Sequence, residues 1–175
     1  MKSISREEAI GWMVQHLPAE TPLQQVTQLP QLDAVGYGRM SIPFPVDSSH
    51  KCALVQLVYK ECLSKEQCLL VHVKEWQIFP SCGHIPLLLR LRQALGEWRP
   101  IEKCPGHLFC AAEGDDAISI ILMAMLFYWD CLVVSESGKV VLYVSHDERC
   151  DLFSSDLAML DRLKDAIADF SSHIK

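Results

Sequence analysis

The chain has 175 residues, half of them hydrophobic and 22% charged, which suits one domain with a sizeable core and excludes disorder over most of its length. The formal net charge is −6; that sign opposes a sequence-independent grip on nucleic-acid phosphates and leaves basic proteins or cationic ligands as the easier partners. Eight cysteines, behind a start that places Glu7 and Glu8 where the apolar part of a secretion signal would begin, point to reduced thiols in a cytoplasm.

Ser5-Arg6-Glu7-Glu8 has the S-x-x-E form of a capping box, in which the two side chains satisfy free backbone N–H groups at a helix start. Ile10, Met13, Val14 and Leu17 follow at helical spacing, and Pro18 ends the run. Thr21-Pro22 is a second start signal, for a short helix that stops at Pro30. Residues 30–50 carry Pro30, Gly36, Gly38, Pro43 and Pro45 among apolar side chains. They read as an irregular loop packed on the domain, with room for one edge strand.

Cys52 to Lys60 is apolar on both faces and reads as an interior strand. Leu69 to Phe79 reads as a second strand, joined to the first by the polar Ser64 to Gln67 and paired antiparallel with it. Pro86 to Leu95 reads as a helix that ends at Gly96. Arg90, Arg92, Arg99 and Lys103 form either a local basic patch or, the favoured reading, a solvated face.

His107 to Ala112 is a candidate short strand. Ala117 to Trp129 is the most apolar window, thirteen residues between Asp116 and Asp130. A membrane span needs about 20, so the window reads as a buried helix and no membrane partner is expected. Cys131 to Ser135 and Val140 to Ser145 make a hairpin around Glu136-Ser137-Gly138-Lys139. Leu157, Leu160, Leu163, Ile167 and Phe170 stripe a final helix. The expected order is α-α-β-β-α-β-α-β-β-α, a single α+β domain over residues 1–175. Its sheet is antiparallel or mixed, of about four to six strands, packed with helices.

Three constellations could carry chemistry. Cys104-Pro105-Gly106-His107-Leu108-Phe109-Cys110, with Cys82 and His84 upstream, offers the thiolate and imidazole ligands that zinc prefers. The spacing matches no established zinc pattern, and His107 and Cys110 would point to opposite faces of a strand. Small buried thiols and turn-capping histidines are therefore the favoured reading, with zinc the one cofactor the set would hold. His146 could act as a base oriented by Asp147 or Glu148, against the plainer reading of a charged turn. Cys82 or Cys131 could be a thiol nucleophile served by His84 or His146, although with eight cysteines and seven histidines some pairing arises by chance. Asp130 stands among apolar neighbours and needs a hydrogen-bonded partner if buried; the backbone N–H groups of its own helix-to-strand turn are the expected ones.

Phosphate-loop, dinucleotide-binding, α/β-hydrolase and zincin motifs are missing from the sequence. The expected function is a small non-catalytic module that binds a basic protein, as inhibitors of toxins or nucleases do. Its acidic surface is expected from Asp130, Glu136, Asp147, Glu148 and Asp151. The alternative is a metal- or thiol-dependent enzyme or sensor built on Cys82, His84, Cys104, His107 and Cys110. A structural homodimer is the third possibility weighed.

Overall fold

The computed structural model describes residues 1–18, 32, 36–75 and 85–172. The short helix expected at residues 21–30, the first part of the 30–50 loop and the end of the strand expected at Leu69 to Phe79 lie outside them. Where the model describes the chain, a seven-stranded sheet carries five α-helices. The strands are β1 (Lys2–Ile4), β2 (Gly38–Pro43), β3 (Cys68–Glu75), β4 (Gly106–Cys110), β5 (Asp130–Ser135), β6 (Val140–Ser145) and β7 (Arg149–Ser154). The helices are α1 (Arg6–His16), α2 (Ser48–Val58), α3 (Ile85–Ala94), α4 (Gly114–Leu126) and α5 (Leu157–Ser172). Across the sheet the order is β1-β4-β3-β5-β6-β7-β2, with every neighbour antiparallel. No described helix is long and apolar enough to cross a membrane.

Alternation sorts the strand side chains onto two faces. Val71, Val73, Cys131, Val133, Leu142, Val144, Cys150 and Leu152 join the core under α2, α4 and α5. Leu70, Leu132, Val134, Val141, Tyr143 and Phe153 join a second core with Ala9 and Met13 of α1. The middle strands β5 and β6 are buried along their whole length. Gly106 of β4 leaves room for the close approach of β1 and α1, since a Cβ there would sit 2.7 Å from Ile4 Cγ1 and 3.1 Å from Ala9 Cβ.

The capping box of α1 forms as its sequence predicts: Ser5 Oγ accepts from the Glu8 N–H, and the Glu8 carboxylate accepts from the Ser5 N–H. The 131–145 hairpin and the helices at 86–95, 117–129 and 157–170 also match expectation to within a turn. The edge strand allowed within residues 30–50 is β2.

Cys52 to Lys60 is a correction. It is helix, not strand: α2, continued by a π-helical turn Tyr59–Leu63. Lys51, Leu54, Val55 and Val58 are its buried positions, the i, i+3, i+4, i+7 pattern of one helical face. Asp47 gives the start signal, its carboxylate accepting from the N–H groups of Ser49 and His50. The expected pairing of residues 52–60 with β3 is replaced by β4 on one side and β5 on the other. The sheet also gains β1 and β7, so it exceeds the expected strand count. Arg92 is a second correction. It is fully buried, and its guanidinium donates to the carbonyls of Arg99 (2.9 Å) and Cys104 (2.8 Å). It closes the loop after α3 instead of facing solvent.

Leu152 is wholly buried in the helix-side core, so Leu152→Ala should cost about 2–5 kcal/mol. A urea unfolding series measures it, and an unchanged midpoint would contradict the packing of α5 on β7.

Candidate functional site

Antiparallel register brings three links to one end of the sheet. Pro43 and Ser145 both pair with Arg149, and Val144 pairs with Cys131. The β2–α2 link, the α4–β5 link and the β6–β7 turn are therefore neighbours. Asp130 ties two of them together. Its buried Oδ1 accepts from the backbone N–H of His146 at 2.9 Å and from His146 Nδ1, also at 2.9 Å. The third link is joined by the Phe44 N–H, which donates to the Glu148 carbonyl at 2.8 Å. Among the described residues the two non-glycine positions with left-handed backbone are Tyr128 (φ 57°) and Glu148 (φ 61°), both at this end. Each such conformation costs about 1–3 kcal/mol and persists where its surroundings impose it.

Packing holds the same loops from beneath. The Lys51 ammonium is buried, 4.9 Å from the Tyr128 ring centroid and 5.7 Å from that of Phe44, a cation–π arrangement that links α2 to both links. On the solvent side Val46 is fully exposed, and Asp47, Asp147 and Glu148 are exposed carboxylates. Hydrogen bonds from the Ser49 side chain and backbone, then from the His50 N–H, hold the Asp47 carboxyl below its usual range. Asp147 lies 3.5 Å from His146 Nε2 and 3.5 Å from Arg149 Nη2.

His146 is thus held by Asp130 at Nδ1, with Asp147, one of the two orienting acids expected from the sequence, at Nε2. Asp130 reaches the β6–β7 turn, sixteen residues away, and not the backbone of its own turn. Asp151, expected on the surface, is fully buried on β7 between Arg39 (3.0 Å) and Arg149 (3.3 Å). Glu136 is exposed at the opposite end of the sheet, one six-residue strand away, or about 20 Å. Of the five acids anticipated as one surface, Asp147 and Glu148 stay together and in solvent. Val46 and Asp47 were missed; the run Asp47-Ser48-Ser49 was the available signal.

Cys82 and His84 lie outside the described residues. Cys104 and His107 are buried, whereas Cys110 is exposed. His107 Nδ1 meets the Val71 carbonyl at 3.3 Å, on the helix side of the sheet. Among the described residues no three His, Cys, Asp or Glu side chains are grouped to hold a metal ion. Cys131 is wholly buried, and burial pushes its thiol up, the reverse of what a nucleophile needs.

Replacing Asp130 by Ala leaves the part-buried His146 N–H without its acceptor. The expected loss is about 1–3 kcal/mol, with faster amide exchange at residues 145–148; unchanged exchange there would refute the tie. A second prediction concerns His72 and His107. Burial lowers His107 to about 3, helped by Arg92, and His72 to about 4, helped by Arg6 and Lys74. Both are neutral in the fold and return to about 6.5 on unfolding. The unfolded chain then binds more protons below about pH 6.5, so stability present above that value drains away as the pH falls toward the folded values. Urea midpoints should fall over this window, and His72→Gln or His107→Gln should flatten the slope; a slope unchanged in both would show that neither imidazole is kept neutral.

Comparison with protein-family models, with curated proteins and with solved structures found no match to this chain.

Proposed function

We propose that this chain is a non-catalytic protein-binding module that docks a basic partner at the end of the sheet holding Asp47, Asp147 and Glu148. The observation that carries the reading is the juxtaposition of those exposed carboxylates with the fully exposed Val46 on links fixed by Asp130 and Lys51. Fixed loops matter because a partner that binds preformed groups does not have to order them. The carboxylates steer a cationic surface inward, and Val46 supplies apolar area at the point of contact. The net charge of −6 adds a long-range field of the same sign.

The test compares capture from a lysate of the parent cell by four proteins: the wild type, Val46→Asp, Asp147→Lys, and Glu136→Lys at the far end. The expected result is a basic protein held by the wild type and by Glu136→Lys, lost from the other two, and released as salt is raised. Identical retention by all four, or retention indifferent to salt, would refute the proposal.

A further inference from the structure

The far end of the sheet holds a feature that docking does not use. Cys68 opens β3 and Cys110 closes β4, and the register sets them directly opposite each other. Their neighbours fix the kind of pair. The Ala111 N–H donates to the Gln67 carbonyl at 3.0 Å, and the Val73 N–H to the Pro105 carbonyl at 3.1 Å. Hydrogen-bonded and non-hydrogen-bonded pairs alternate along an antiparallel ladder, so Cys68 and Cys110 form a non-hydrogen-bonded pair. Such pairs bring Cα atoms to about 4.5 Å with the side chains on one face, inside the Cα range of about 4.4–6.8 Å that a disulfide bridges. Among the described residues no other two cysteines face each other across a ladder. Both are free thiols here.

The two thiols have different settings. Cys110 is exposed, and its backbone N–H donates to the Glu113 carboxylate at 2.9 Å. Cys68 is only partly exposed; burial, then the Glu136 carboxylate, pushes its thiol up. Access thus marks Cys110 as the attacking group and Cys68 as the resolving one.

We infer that Cys68 and Cys110 are a redox-active dithiol that reduces a small disulfide and closes into a cross-strand disulfide. The Cys110 thiolate attacks one sulfur of the small disulfide; the new S–S bond forms as the old one breaks, and the first small thiolate leaves and takes up the proton Cys110 gave up. The Cys68 thiol then loses its proton and attacks the Cys110 sulfur. The Cys68–Cys110 bond forms, and the second small thiolate leaves and takes that proton. Two protein thiols are oxidised and one disulfide is reduced to two thiols.

The experiment incubates the folded, reduced chain with oxidised glutathione, quenches with acid, and maps disulfides by mass spectrometry. The expected product has lost two hydrogens and links the peptides of Cys68 and Cys110. Cys68→Ser should stop at a glutathione adduct on Cys110, and Cys110→Ser should yield neither adduct nor bridge at these positions. Near-UV circular dichroism confirms that each variant is folded. A bridge between other cysteines, no bridge in the folded wild type, or an adduct on Cys68 in Cys110→Ser would each overturn the inference; the wild-type map decides it even if a variant fails to fold. None of these outcomes bears on docking at the opposite end.

Discussion

The Asp130 carboxylate is the constraint on which this structure's functional end depends. A carboxylate buried at the start of a central strand must be paired or hydrogen-bonded, since an uncompensated buried charge costs several kcal/mol. Asp130 meets that requirement with two donors from His146, and in doing so fixes where the β6–β7 turn lies. The left-handed backbone at Tyr128 and Glu148 lies in the two links that this tie joins. The position of the turn that carries Asp147 and Glu148 is thus set by a buried residue sixteen positions away.

The sheet face on the α1 side follows a gradient. Along one row Leu70, Val134, Val141 and Phe153 lie side by side, and they belong to the core beneath α1. The next row holds His72, Leu132, Tyr143 and Asp151. The row after that begins the functional end. Asp151 shows how a charge is carried in the second row: Arg39 of the edge strand β2 and Arg149 of its own strand both reach it. Arg39 also lies 5.5 Å from the Phe153 ring centroid, covering the edge of the apolar row. Polarity therefore rises stepwise toward the end of the sheet that holds Asp130 and His146.

How much of this was legible in the sequence depends on whether its signal was local. The capping box, the apolar stripe of the last helix and the Glu136–Lys139 turn are written in consecutive residues, and each element formed where it was expected. The run Cys52 to Lys60 was not decidable by periodicity, because a segment apolar on every side suits a buried strand and a buried helix alike. Its cap at Asp47 would have decided it. β7 was hidden because Arg149 and Asp151 look like turn residues until a second arginine from β2 is brought beside them. β1 is three residues long and is defined by its partner β4. The candidate site shows the same division. The segment Ser145 to Glu148 stood out as polar chemistry after a strand, yet its orienting partner came from Asp130, across the hairpin. The Cys68–Cys110 pair was invisible for the same reason: their facing is a fact of register, and register is long-range.

The separation of the two ends has a mechanical meaning. Cys68 and Glu75 are the first and last residues of β3, a strand of eight residues or about 26 Å, and Glu75 pairs with Asp130. Cys68 and Cys110 therefore sit a full strand away from the links around Asp130, on a sheet whose central members are buried on both faces. A cross-strand disulfide at Cys68–Cys110 adds one covalent link between residues already held opposite each other. Its effect on the register of β3 and β5 is small, because the interior is close-packed and does not deform continuously. The oxidised and reduced chains consequently present the same acids in the same places. The facing cysteines and the exposed acids thus occupy opposite ends of one sheet, and β3 is the element that spans the distance between them.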